Sequence, residues 1–197
     1  ITPRAESHGL VLQLDMITEF SGEDDASKAD MLVLRGLGLT DVSALKAARN
    51  LTSLSLSHNE LRELGLPCGA LPLLVELNVN KNALASLSFL ECCPALQRLY
   101  ASSNVFSDVT PLALCPALAV VALHGNILKD LAVTLQALQG LEHIHELELD
   151  GNPLSSAPGY KHSVVQQLAA LTRLDGEMIM RKDHNDAAHF VSYQHRR

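Results

Sequence analysis

The chain has 197 residues, 47% of them hydrophobic, which is enough to bury the core of one domain. Aromatic residues make up only 4% and tryptophan is absent, so the core must be aliphatic, and an aromatic-lined pocket for a small-molecule substrate is disfavoured. The net charge of -7 repels phosphate backbones and argues against direct nucleic-acid binding, while no apolar run approaches the roughly 20 residues that cross a bilayer and no signal peptide is visible.

The first predicted element is a capping helix with an acidic loop, in residues 1–28. Thr2 and Pro3 supply an N-cap residue and a first-turn proline. Gly22 and the acidic run 23–25 end the helix. Its apolar surface is formed by Leu10, Leu12, Leu14, Ile17 and Phe20. We expect this segment to cover the N-terminal end of the fold; an acidic targeting arm is the alternative interpretation.

An internal repeat of the form L-x-x-L-x-L-x-x-N-x-L occupies residues 29–157. Clear copies begin at Leu51, Leu74, Leu96, Leu118 and Ile144, at spacings of 23, 22, 22 and 26 residues. An earlier copy, ADMLVLRGLGL from Ala29, has leucine at the asparagine position. Alternate residues of a strand face opposite sides, so the repeated apolar pair points inward and each copy predicts one short strand. Six stacked copies bury a core that no single copy can bury alone.

Asparagines recur where the chain must turn out of each predicted strand. A buried amide offers two donors and an acceptor, which can satisfy backbone groups that the turn points into the core. We therefore predict a structural ladder, with a polar ligand site as the alternative. Its members are Asn59, Asn82, Asn104, Asn126 and Asn152.

A second cap is predicted in residues 158–180, followed by a basic extension over residues 181–197. The cap segment places Tyr160, Val164, Leu168 and Leu171 on one helical face, and then reads L-D-G from Leu174. This segment resembles the C-terminal cap of the SDS22-like class of leucine-rich-repeat proteins. The resemblance depends on the order N-P-L, a tyrosine with a basic neighbour, then valine, leucine and L-D-G. The resemblance covers roughly residues 29–179.

The resemblance implies an α/β fold: a leucine-rich-repeat solenoid with a curved parallel sheet on its concave face, a helical or irregular convex side, and helical caps at both ends. It also implies a non-enzymatic adaptor. The class includes acidic nuclear phosphoproteins, the spliceosomal A-prime protein, tubulin-folding cofactor E, the axonemal dynein light chain and a phosphatase regulator. The basic C-terminus disfavours an acidic nuclear phosphoprotein, and the number of repeats disfavours a phosphatase regulator. The lack of added domains disfavours tubulin-folding cofactor E. Size favours a cytoplasmic cytoskeletal or ciliary member, with the nucleus as the alternative location.

The outward positions of the strands define the candidate binding face for another protein. Arg98 and Tyr100 lie near its centre and belong to the residue types enriched at interface hot spots. Glu146, Glu148 and Asp150 form an acidic stripe that favours a partner with a basic segment. The remaining candidates are Arg35, Ser53, Ser55, Glu76, Asn78, Asn80 and His124. A solvated sheet face is the alternative for any one residue, and a structural subunit of a larger cytoskeletal, axonemal or ribonucleoprotein assembly is the alternative function.

No arrangement typical of catalysis or metal binding is visible, so we expect no cofactor and no enzymatic activity. His143 and His145 flank a strand entry without a third ligand at a suitable spacing. Cys93 and Cys115 occupy the same core position in successive copies and should be buried, whereas Cys92 is expected to be more exposed and is the candidate for redox sensing. The absence of a C-x-x-C pair among the four cysteines favours a reducing compartment.

Overall fold

One short strand begins each repeat, as the alternation of apolar and polar residues predicts. The computed structural model describes residues 9–194, and in that range successive strands pair in parallel with the equivalent residues of the next repeat. Two further strands extend this main sheet at its C-terminal end. Its strands are β2 (Met31–Val33), β4 (Ser53–Ser55), β5 (Glu76–Asn78), β6 (Arg98–Tyr100), β7 (Val120–Ala122), β8 (Glu146–Glu148), β9 (Arg173–Leu174) and β10 (Glu177–Met178). The expected α/β solenoid is confirmed, with a sheet that is parallel except where β10 pairs with β9.

The core lies between this sheet and a convex side of short helices. The middle residue of each repeat strand is buried, and burial of one such side chain stabilises the fold by roughly 1.5 to 3 kcal/mol. Phe89 and Phe106 are the aromatic contact inside this aliphatic core, with ring centroids 6.4 Å apart. The convex side carries the 3-10 helices Ser43–Ala47, Ser88–Cys92, Thr110–Leu114 and Pro153–Ser156 and the α-helix α2 (Leu131–Leu138).

The predicted asparagine ladder is confirmed by its hydrogen bonds. Asn104 donates from Nδ2 to the carbonyl oxygens of Val79 (3.0 Å) and Ala101 (3.2 Å), and its Oδ1 accepts from the Leu84 amide at 3.0 Å. The other ladder asparagines repeat this pattern. Each amide thus joins the turn of its own repeat to the turn of the preceding one.

An aspartate in the cap continues the ladder at its C-terminal end. Oδ1 of Asp175 accepts from the backbone amides of Leu149 (2.7 Å) and Asp150 (3.0 Å). Its other oxygen accepts from the Tyr160 hydroxyl at 2.9 Å. The tyrosine and the L-D-G segment are therefore one structural unit, which closes the polar turns of the last repeat.

The N-terminal segment differs from the expected long helix. Residues 1–8, and with them Thr2 and Pro3, lie outside the described residues. Leu10 and Val11 form β1 (Leu10–Val11), which pairs in parallel with β3 (Leu39–Asp41), and α1 extends only over Leu14–Ser21. The backbone of β3, which follows the first turn after β2, pairs with β1, and this tertiary pairing overrides the helical spacing of the apolar residues. Among these residues Leu12 and Ile17 are buried, whereas Leu10, Leu14 and Phe20 are exposed.

Residues 181–194 of the predicted basic extension form a helix. Helix α4 (Arg181–Gln194) packs against α3 (Tyr160–Gln167), and Ala187 is buried. The Phe190 ring stacks on His162 with centroids 5.0 Å apart. Gly159 has φ 74°, and a Cβ there would lie 2.3 Å from the Phe190 ring, so only glycine fits. The expected helical face around Tyr160 ends early, since Leu168 and Leu171 are buried beyond the end of α3.

Candidate functional site

The concave face exposes two rows of side chains, because residues in register on neighbouring strands point the same way. The first row consists of Met31, Ser53, Glu76, Arg98, Val120, Glu146 and Arg173. The second row consists of Val33, Ser55, Asn78, Tyr100, Ala122 and Glu148. The turns after the strands add Arg35, Asn80, His124 and Asp150 along one border.

The N-terminal end of the face is apolar with a cationic border. Met31 and Val33 lie on β2, the edge strand, and are 61% and 57% exposed. Arg35 follows them and places Nη2 3.2 Å from Nε2 of His58. This end therefore offers apolar contact area beside a positive charge.

The centre of the face combines an ion pair with a half-buried tyrosine. Nε of Arg98 lies 2.7 Å from Oε2 of Glu76 on the adjacent strand, so the two charges compensate one another. Tyr100 is in the second row between Asn78 and Ala122. Burial, and then the negative charge of Glu76, raises the pKa of Tyr100, so its hydroxyl stays protonated at neutral pH. Tyr100 offers a rigid ring and a hydrogen-bond donor to a partner.

Serine and asparagine side chains separate the apolar end from the centre. Ser53 and Ser55 are half-buried and uncharged. Oδ1 of Asn78 accepts from the Asn80 amide at 3.0 Å, and Oδ1 of Asn80 accepts from the Ser102 amide at 2.6 Å. The asparagine oxygens are thus engaged by the backbone, which holds these side chains in place.

The C-terminal end of the face is acidic. Oδ1 of Asp150 lies 2.8 Å from Nδ1 of His124, and Oε1 of Glu146 lies 3.7 Å from Nη1 of Arg173. Glu148 lies between them, and no ion pair joins it to a cation in the described part of the chain. Burial, followed by the carboxylates of Asp150 and Glu146, raises the pKa of Glu148. Among Glu146, Glu148 and Asp150, Glu148 is therefore the one without an ion-pair partner in the described residues.

All the candidate binding residues lie on this face or along its border, although their role as partner contacts stays a prediction. The fold brings Glu76, Arg98 and Tyr100 together at the centre and gathers His124, Glu146, Glu148 and Asp150 at one end. Arg35, Ser53, Ser55, Asn78 and Asn80 lie towards the other end. The outward alternation of the strand residues includes Ser57 and Ala122 as well, but both are buried; Ala122 is flanked in register by the larger Tyr100 and Glu148.

Arg173 is a residue of this face that the repeat pattern missed. It lies on β9, which pairs in parallel with β8 and continues the first row into the cap. The signal was present, because Leu171 and Leu174 repeat the spacing of two apolar residues, three positions apart, that is found at each repeat strand. This strand was missed because the residues after Leu174 do not continue the repeat pattern.

Among the described residues, the histidines and carboxylates form no evident catalytic or metal centre. Within residues 9–194, no group of three or more metal-type ligands is found, and no helix is long and apolar enough to span a membrane. His143 and His145 are exposed. Cys93 and Cys115 are buried, as predicted. The prediction that Cys92 is more exposed is wrong, because Cys92 is buried and Cys68 is the exposed cysteine.

These features define the chain as a leucine-rich-repeat solenoid, and such solenoids use extended concave surfaces for binding. The model of the Leucine Rich Repeat family matches residues 50–71. The chain is similar in structure to internalin C2 of Listeria monocytogenes, with a TM-score of 0.67 and 22% identity over 82% of this chain and 71% of that one. It is also similar to a chain of the SNF/U2A' complex of Drosophila melanogaster, with a TM-score of 0.56 and 24% identity over 92% of each chain. Comparison with curated protein sequences gives no match. At these identities the likeness concerns the fold alone.

Proposed function

We propose that the chain is a non-enzymatic adaptor that binds a partner protein through the concave face. The observation that carries this proposal is the ordered change along the face, from exposed Met31 and Val33, past Tyr100, to the acidic group around Glu148. Strands spaced about 4.8 Å apart make the six repeat strands about 29 Å wide, which suits an interface of roughly 800 Å² per partner.

The chemistry of the face favours a partner segment that is apolar at one end and basic at the other. Apolar side chains of the partner would cover Met31 and Val33, which are more exposed than the outward residues of the other five repeat strands. A lysine or arginine would neutralise Glu148, whose charge has little compensation within the chain. The ion pair of Arg98 with Glu76 makes that arginine a weaker candidate than Tyr100, because partner binding must compete with an existing contact.

The finer class that we propose is the SDS22-like one, with a cytoplasmic or ciliary location and the nucleus as the alternative. The hydrogen bond from Tyr160 to Asp175 supports the class, because it joins the two motifs on which the resemblance depends. Imaging of the tagged chain tests the location.

The experiment that tests the proposed function compares four forms of the chain as affinity baits: the unaltered chain, Tyr100→Ala, Glu148→Lys and the control Lys129→Ala. Lys129 is exposed, and it lies beyond the turn that follows β7, away from both rows. A partner of the concave face should be retained by the unaltered chain and by the control and depleted on the other two. Equal retention on all four would contradict the proposal.

The second candidate function is a structural subunit of a larger cytoskeletal, axonemal or ribonucleoprotein assembly. It is favoured by exposed apolar side chains outside the concave face, among them Leu114 and Val133 on the convex side. An assembly subunit should self-associate when isolated, whereas an adaptor should remain monomeric. Sedimentation of the purified chain over a range of concentrations separates the two.

A further inference from the structure

The second repeat departs from its neighbours on the convex side, around Cys68. Its chain is irregular over residues 62–72, where the flanking repeats have 3-10 helices. Gly65 and Gly69 adopt φ of 60° and 66°, which bends the chain on both sides of the cysteine. Leu90 and Leu112 at the equivalent position are buried, but Cys68 is exposed.

Hydrogen bonds hold Cys68 beside Cys92 of the next repeat. Cys68 Sγ donates to the carbonyl oxygen of Glu91 at 3.4 Å, and Cys92 Sγ donates to the carbonyl oxygen of Leu66 at 3.3 Å. The Gly69 amide donates to the same Glu91 carbonyl at 2.9 Å. Each thiol therefore hydrogen-bonds to the backbone of the segment that carries the other, so the two cysteines lie on adjacent segments that are in direct contact.

The two thiols differ in access. Cys68 meets solvent directly, whereas Cys92 is 3% exposed and forms part of the wall of an open cavity of about 310 Å³ with Leu66 and Phe89. Burial raises the pKa of Cys92, which keeps it a thiol at neutral pH. An exposed cysteine that reacts first and a shielded neighbour that reacts second form the usual order of a redox pair.

We propose that Cys68 and Cys92 are a redox-active pair that closes to an intramolecular disulfide in the presence of a peroxide. The Cys68 thiolate attacks one oxygen of hydrogen peroxide; its sulfur becomes a sulfenic acid, and the other oxygen leaves as hydroxide and is protonated to water. The Cys92 sulfur then attacks the sulfenic sulfur, and the hydroxyl group leaves with the Cys92 proton as a second water. Two electrons pass from the two sulfurs to one peroxide.

Peroxide treatment of the full reduced chain, followed by thiol blocking and peptide mass spectrometry, tests the pair. We expect the four free thiols to fall to two, with one cross-linked peptide pair joining Cys68 to Cys92. The melting temperature should rise, because the bond links two repeats and restricts the unfolded chain. Cys68→Ser and Cys92→Ala should each abolish the cross-link.

The matched controls are Cys93→Ala and Cys115→Ala, in which the cross-link should form as before. The cross-link is measured directly in the unaltered chain, so this result does not depend on any variant being folded. A Cys92–Cys93 disulfide, a dimer linked through Cys68, or four free thiols after a dose of peroxide that fully oxidises free glutathione would overturn the proposal.

Discussion

Asn104 and Tyr100 belong to the same repeat and have opposite roles. Asn104 is 5% exposed and bonds to four backbone groups in two repeats, whereas Tyr100 is in the second outward row of the sheet. Residues of the first kind hold the stack together, and residues of the second kind are available to a partner. Changes in the interior should therefore cost stability, and changes on the concave face should mainly cost binding.

The strongest test of the interior is removal of the C-terminal cap. Truncation after Gly159 removes α3, β9, β10 and α4, which exposes the apolar flank of the last repeat and the edge of β8. We expect aggregation and loss of cooperative unfolding, because an uncovered core and a free strand edge both favour association. A soluble truncated chain with a sharp thermal transition would show that the cap is dispensable. Truncation after Met180, which removes α4 and the residues beyond it, should be much milder.

Within the stack, Asn104→Ala should lower the free energy of unfolding by about 1 to 3 kcal/mol, because it leaves buried turn groups without partners. Val105→Ala is the matched control, since this neighbour is 43% exposed and surface changes usually lie within about 0.5 kcal/mol. Chemical denaturation of both variants measures the difference. Similar midpoints would mean that the ladder does not hold the turns.

Glu148→Gln should give the smallest change in stability, and with the opposite sign. Because folding raises the pKa of Glu148, the charged carboxylate disfavours the folded state, and this penalty is present above the folded pKa and disappears below the unfolded pKa. The variant should melt slightly higher than the unaltered chain at pH 7 and at the same temperature near pH 3. A lower melting temperature at pH 7 would mean that Glu148 has a stabilising partner.

The sequence predicts the repeat strands and the asparagine ladder well, because both recur at a regular spacing and each copy supports the interpretation of the others. It fails where structure depends on one tertiary contact. Strand β1 exists because β3 offers it a backbone partner, and α4 packs against α3 through Ala187 and Phe190, within a polar segment. The ion pair of Glu76 with Arg98 follows from register once the strands are aligned. The exposure of Cys68 does not, because it results from the irregular chain of a single repeat.

The most direct test of the concave binding face is the affinity of a captured partner for Tyr100→Ala against the control Lys129→Ala. Tyr100 is preferred to Arg98, because Arg98→Ala would also leave Glu76 without its cation. We expect Tyr100→Ala to weaken binding about tenfold, corresponding to about 1.4 kcal/mol, while its circular dichroism spectrum stays that of the folded chain. The control should bind like the unaltered chain. Unchanged affinity for Tyr100→Ala together with loss of binding by Lys129→Ala would place the partner on another surface and contradict the concave assignment.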